Sequence, residues 1–143
     1  MRELLRREWG ARPPWARWVL AGYLIGFTDG FGAHLLALAR YGIDAYSSFP
    51  QVPQRVFLAS LVVLDPLVVV LVAFVRRAGI GLAGAVMAAD VAANLTGNWP
   101  RIQRDPAGLL LSVNMLGILL FGLFVLVTVI PLLRIADAQR AAS

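Results

Sequence analysis

The chain has 143 residues, of which 59% are hydrophobic and only 15% are charged. Soluble domains are typically about 45–50% apolar and about 25% charged, so this composition excludes an ordinary water-exposed domain. The net charge of +5 comes from thirteen arginines. No stretch combines these arginines with base-stacking aromatic residues on a soluble fold, and we therefore expect no nucleic-acid partner.

The chain begins with a basic segment, residues 1–15, which we interpret as a juxtamembrane segment. Apolar blocks of about 20 residues follow, long enough to cross a hydrocarbon core about 30 Å thick. These blocks predict four spans, at about residues 18–39, 56–75, 80–98 and 108–133. The longest loop lies between the first two spans and contains Tyr46 and Phe49, two aromatic residues suited to the membrane interface. We expect one membrane domain that covers residues 1–143.

Arginine is distributed unequally between the two sides of the predicted spans. The N-terminus, the second loop and the C-terminal tail carry nine arginines, and the first and third loops carry four. Because positive residues are enriched on the cytoplasmic side, this bias predicts that both termini are cytoplasmic. The fold class is therefore an all-α integral membrane protein, a four-transmembrane-helix bundle. The preference for arginine over lysine, with abundant alanine, indicates a bacterial protein of the cytoplasmic (inner) membrane.

Each of the first three spans carries one aspartate: Asp29, Asp65 and Asp90. With a rise of about 1.5 Å per residue, all three fall roughly 16–18 Å from the cytoplasmic face. An ionisable residue at the centre of a span costs about 2.5–3.5 kcal/mol on insertion scales, and such residues usually face the bundle interior. A shared proton, a cation or an incoming positive group would relieve their mutual repulsion. We therefore expect a proton- or ligand-binding site built on these three carboxyl groups.

Three further polar residues, His34, Asn94 and Asn114, are predicted to contact the substrate. Asn94 and Asn114 fall roughly 20–22 Å from the cytoplasmic face by the same helical rise, so they lie slightly outward of the aspartates. This outward bias, together with the aromatic first loop, predicts a site that opens externally. The alternative is that the amides and carboxyls only tie the helices together by hydrogen bonds, each contributing about 0.6–2 kcal/mol in a bilayer.

Small residues recur every four positions in two spans. The first span has Gly22, Gly26 and Gly30, and the third has Gly81, Ala85, Ala89, Ala93 and Gly97. Such faces allow two helix backbones to approach closely. We therefore expect the first and third spans to pack tightly and to bring Asp29 near Asp90.

The sequence predicts no metal site and no cofactor. It has no cysteine and a single histidine, whereas zinc usually takes three or four nitrogen, sulfur or oxygen ligands. It also contains no phosphate-binding loop of the GxxxxGK[ST] type, no GxSxG elbow and no HExxH helix.

Three functions fit a carboxylate site in the middle of the bilayer. The favoured one is proton- or cation-linked transport of a small solute by a homo-oligomer, because four helices enclose little space. The second is a membrane-embedded enzyme of the isomerase, cyclase or hydratase type, with Asp29 and Asp90 as general acid and base for a lipophilic substrate. The third is a scaffold or accessory subunit in which the polar layer only holds helices together. The expected partners are the lipid bilayer and a small solute or lipophilic ligand.

Overall fold

The computed structural model describes residue 3 and residues 8–141, with the backbone alone at 139 and 140. Four of its helices are long and apolar enough to cross a membrane: α1 (Pro14–Tyr41), α2 (Val52–Ala73), α3 (Arg77–Gly97) and α6 (Val113–Ala141). Between α3 and α6 lie two short helices, α4 (Trp99–Arg104) and α5 (Pro106–Leu110), and a 3-10 turn, Gly42–Asp44, follows α1. The described residues contain no strand. The predicted all-α, four-helix membrane fold is confirmed.

The four long helices pack as a ring in which α1 and α3 stand at opposite corners. The main contacts join α1 to α2, α2 to α3 and α3 to α6, with a smaller contact between α1 and α6. The prediction that the first and third spans pack tightly is therefore wrong. The reason is that the glycines of α1 face other helices. Gly22 and Gly26 lie against phenylalanine rings of α6, and Gly30 lies against Asp65 of α2.

An aromatic cluster fills the contact between α1 and α6. The rings of Phe27 and Phe121 meet edge to face at 5.4 Å, and those of Tyr23 and Phe124 do so at 5.8 Å. The Tyr23 hydroxyl donates to the Val125 carbonyl at 3.0 Å, so the fully buried phenol has a hydrogen-bond partner. This part of the bundle is closely packed and almost entirely apolar.

A tight turn at Val75 joins α2 to α3. The Arg76 N–H donates to the Leu71 carbonyl at 2.9 Å and the Val75 N–H donates to the Val72 carbonyl at 2.8 Å. This is the Schellman pattern, in which the residue after the helix cap takes a left-handed conformation. Val75 has a φ of 51° and occupies a position where glycine is usual. Because its side chain is buried, apolar packing offsets part of the backbone strain of a branched residue.

The fourth span begins later than the sequence predicted. Residues 108–111 are apolar enough to extend it, but the chain turns at Ser112 and α6 begins at Val113. The Ser112 hydroxyl accepts a hydrogen bond of 3.4 Å from the Met115 N–H, as an N-cap residue does. The first three spans lie within a few residues of their predicted bounds.

The basic N-terminal segment is partly described, since residues 1, 2 and 4–7 lie outside the described residues. Residues 8–10 are helical, and the Trp9 indole donates to the Ala73 carbonyl at 2.9 Å. This bond ties the segment to the end of α2. Burial lowers the pKa of the Arg12 guanidinium, and the carboxylate of Glu8 offsets part of that shift.

Candidate functional site

Asp65 lies in the interior, in the middle of α2. The residue is only 4% exposed, and it makes no hydrogen bond or ion pair with any described residue. Its carboxyl oxygens keep a small accessible surface, since neither is among the completely buried polar atoms that lack a partner. Gly30 of α1 makes room for it, because a Cβ at that position would lie 3.0 Å from the Asp65 Oδ2 atom. Pro66 follows it and cannot donate a backbone hydrogen bond to the preceding turn of the helix. The buried carboxyl therefore stands beside a weakened stretch of backbone.

Asp90 is the second buried carboxyl, on the inner face of α3 at 9% exposure. The Asn94 Nδ2 atom, one helical turn further on, donates to the Asp90 Oδ1 atom and to the Asp90 carbonyl, both at 3.0 Å. Asn94 is itself 8% exposed. This pair is satisfied within a single helix, unlike Asp65, and it holds the Asp90 carboxyl in a fixed orientation.

His34 and Tyr46 form a second polar pair, at the end of the bundle that carries the first loop. The His34 Nδ1 atom and the Tyr46 hydroxyl are 2.6 Å apart, and the two rings are tilted against each other. Burial raises the pKa of Tyr46, and the charges of Asp90 and then Asp65 raise it further. The Tyr46 hydroxyl therefore lies within electrostatic reach of both buried carboxyl groups.

The first loop folds over the ends of α1 and α3. Phe49 occupies the space left by Gly97 at the end of α3, and its ring packs edge to face on Tyr46 at 6.4 Å. Beside it, the Gln54 side-chain amide donates to the Thr96 hydroxyl at 2.8 Å, which joins α2 to α3. These contacts cover the carboxyl layer on the side of the loop.

Asp29 does not share this interior site. Its side chain is exposed and lines a groove on the outer surface of α1, whereas Asp90 is buried on α3, which packs against α2 and α6. The prediction that these two aspartates meet is therefore wrong. The next residue, Gly30, is the one that faces Asp65, and a step of about 100° along a helix separates the two directions.

Asn114 is also separate from the layer. It is the second residue of α6 and is exposed, because the helix begins at Val113 rather than near residue 108. The predicted depth of Asn114 is wrong for that reason. The interior layer thus contains Asp65, Asp90 and Asn94, with His34 at its edge.

The described residues contain no group of three or more histidine, cysteine, aspartate or glutamate side chains that could hold a metal ion. No known protein family, curated protein or solved structure matches this chain. The function must therefore be argued from the site itself. Two buried carboxyl groups, one of them without a hydrogen-bond partner, and a histidine–tyrosine pair are groups that can bind and pass a proton.

Two residues of the site were not assigned to it from the sequence. Tyr46 was interpreted as an interface aromatic, and Gly30 as part of a packing face. The only signal for Gly30 was its place in the small-residue face of the first predicted span. For Tyr46 the only signal was its place in the aromatic first loop. The contact between Tyr46 and His34 depends on how that loop folds back, which the sequence does not indicate.

Proposed function

We propose that the protein transports a small solute across the membrane in a proton-linked cycle, with Asp65 as the group that takes up and releases the proton. The observation that carries the proposal is the state of that carboxyl, which is 4% exposed and has no hydrogen-bond partner among the described residues. A buried carboxylate without a partner is costly, so a proton or a positive ligand stabilises it.

The neighbours of Asp65 support a proton path. Asp90 is a second buried carboxyl whose orientation Asn94 holds, and Tyr46 connects to His34 toward the loop. Movement of the Tyr46 loop away from His34 would open the layer from that side. The unequal distribution of arginine favours the loop side as external. The preference for arginine over lysine favours the bacterial cytoplasmic membrane as the location.

A structural role for the layer has less support. Polar residues that tie helices together make hydrogen bonds between helices. Here Asn94 bonds to Asp90 within α3, and Asp65 bonds to no described residue. The enzyme hypothesis also has less support, because it needs Asp29 and Asp90 to act together as general acid and base. Asp29 lies on the outer surface of α1, whereas Asp90 is buried.

The test is proton flux into liposomes that contain the purified protein and a pH-sensitive dye, under an imposed pH gradient with valinomycin present. We expect the wild type to conduct protons faster than empty liposomes and Asp65→Asn to return the rate to that of empty liposomes. The matched control is Asp44→Asn, which removes the same charge from an exposed loop position. The proposed cycle lets Asp65 exchange its proton with either side of the membrane even when no solute is bound. A wild-type rate equal to that of empty liposomes, or an Asp65→Asn rate equal to the wild type, would therefore contradict the proposal.

A further inference from the structure

The outer face of α1 differs in chemistry from the outer faces of α2 and α6. Those two helices expose large aliphatic side chains, such as Val63 at 64% and Leu123 at 60%, which suit contact with lipid tails. The outer face of α1 also exposes large apolar side chains, such as Ile25 at 72%, but Asp29, Gly32 and Ala33 lie exposed among them. A carboxyl that faces lipid is unfavourable, and small residues there leave a depression into which another helix fits.

The depression is a shallow, open groove lined only by residues of α1. Gly32 and Ala33 line it together with Asp29, Ile25 and Leu36. Asp29 makes no hydrogen bond or ion pair with any residue that the structure describes. The groove therefore contains a polar group that lacks a partner within the monomer.

The spacing of the exposed residues is that of a helix pair. Ile25, Asp29, Gly32 and Leu36 follow one another at intervals of four, three and four residues. Trp18, which is 78% exposed, lies seven residues before Ile25. A repeat of 3.5 residues keeps one seam of a helix against a neighbour in a left-handed crossing, and a polar residue in such a seam fixes the register.

We propose that this groove is the contact between two copies of the chain, with the α1 helices parallel and Asp29 against Asp29 of the partner subunit. A closed, symmetric pair of copies inserted in the same direction has a two-fold axis along the membrane normal. Each residue near that axis then meets its own equivalent. A polar residue at one position of such a seam then lies against its own equivalent and sets the register of the two helices.

A second face of small residues, on α3, gives no comparable reason to expect a contact between subunits. Ala85 and Ala89 of α3 are exposed, but that surface has no unpaired polar group to select a partner. The unpaired Asp29 carboxyl within a repeat of 3.5 residues is what distinguishes the α1 face.

The absence of cysteine from the chain makes disulfide trapping a clean test. A disulfide needs Cα atoms roughly 4.4–6.8 Å apart, so only positions close to the two-fold axis can form one. We expect oxidation of Ile25→Cys and Gly32→Cys in liposomes to give covalent dimers. Val63→Cys and Leu123→Cys, on the outer faces of α2 and α6, serve as controls and should stay monomeric. Equal yields at all four positions, or none at 25 and 32, would overturn the proposal.

A glycine pair provides the second measurement. An added Cβ meets no atom within 4 Å at either Gly32 or Gly117, so a leucine at either position fits the monomer. We expect native mass spectrometry from gentle detergent to show a dimer for the wild type and Gly117→Leu, and a monomer for Gly32→Leu. A wild-type monomer with a bound lipid or lipophile would assign the groove to that ligand instead. A dimer that survives Gly32→Leu would also reject this interface.

Discussion

Asp65 and Asp29 are the same residue type at the same predicted depth, but the structure gives them opposite surroundings. Asp65 lies inside the bundle beside Gly30, and Asp29, one residue before Gly30, lines a groove on the outside. Depth in the membrane follows from counting residues along a helix, whereas the direction of a side chain depends on which neighbours the helix has. Two aspartates that looked like one site are thus candidates for two roles, proton binding inside and subunit contact outside.

The largest expected effect on stability separates the inner and outer glycines of α1. A Cβ at Gly26 would clash with the Phe121 ring, which is itself packed against Phe27. We expect Gly26→Ala to lower the free energy of unfolding by about 1–3 kcal/mol, the usual cost of overpacking. Gly32→Ala should leave the free energy of unfolding of the monomer nearly unchanged, because an added Cβ meets no atom of the monomer there. Denaturation in detergent measures both, and equal losses would mean that the two faces of α1 are not distinct.

A smaller effect is expected from the partner of Asp90. Asn94→Ala removes both hydrogen bonds that the amide makes to Asp90. We expect a loss of about 1 kcal/mol in the free energy of unfolding, as for a typical side-chain hydrogen bond. Proton flux should also fall, since the carboxyl loses its fixed orientation. An exposed amide on α6 provides the control, and Asn114→Ala should change neither quantity.

The pKa of Tyr46 depends on the charges of the interior carboxyl groups. Its pKa lies above the ordinary value of 10.0, because of burial and the charges of Asp90 and Asp65. The stability that the neutral phenol contributes is therefore complete below pH 10 and is lost as the pH rises through the raised pKa. The difference in ultraviolet absorbance between the wild type and Tyr46→Phe isolates this titration. We expect Asp90→Asn to lower the pKa of Tyr46 and Asp29→Asn to leave it unchanged.

The smallest effect concerns an exposed carboxyl that does have a partner. The Arg77 Nε atom lies 2.6 Å from the Asp137 Oδ1 atom, and both side chains are about half exposed. Exposed ion pairs contribute about 0–1 kcal/mol, so Asp137→Asn should hardly change the free energy of unfolding. A loss as large as that of Gly26→Ala would show that charge at the helix ends matters more than interior packing.

The sequence predicted the four spans because hydropathy and length are properties of each helix alone. Residue counting placed Asp29, Asp65 and Asp90 at one depth, with Asn94 and Asn114 slightly outward. The structure buries Asp65, Asp90 and Asn94 and exposes Asp29 and Asn114, because residue counting gives depth and not direction. The helix order did not follow, because glycine faces indicate close packing without saying which helix approaches. The left-handed turn at Val75 could not be predicted from the sequence either, because glycine is the usual residue at such a position and valine is not.

The first loop was the least predictable part of the site. Its aromatic residues are typical of an interface, and nothing in their spacing indicates that Tyr46 turns inward to His34. The late start of α6 depends on a single serine cap within an apolar run. Both features arise from local hydrogen bonds that hydropathy does not register.

The most direct test of this account compares the two aspartates in one preparation. Proton flux is measured in liposomes that contain wild type, Asp65→Asn or Asp29→Asn, each at the same protein density and each shown to be folded. We expect Asp65→Asn to abolish the flux above that of empty liposomes and Asp29→Asn to keep most of it. Flux that is lost in Asp29→Asn and retained in Asp65→Asn would contradict the assignment of the proton site to the interior of the bundle.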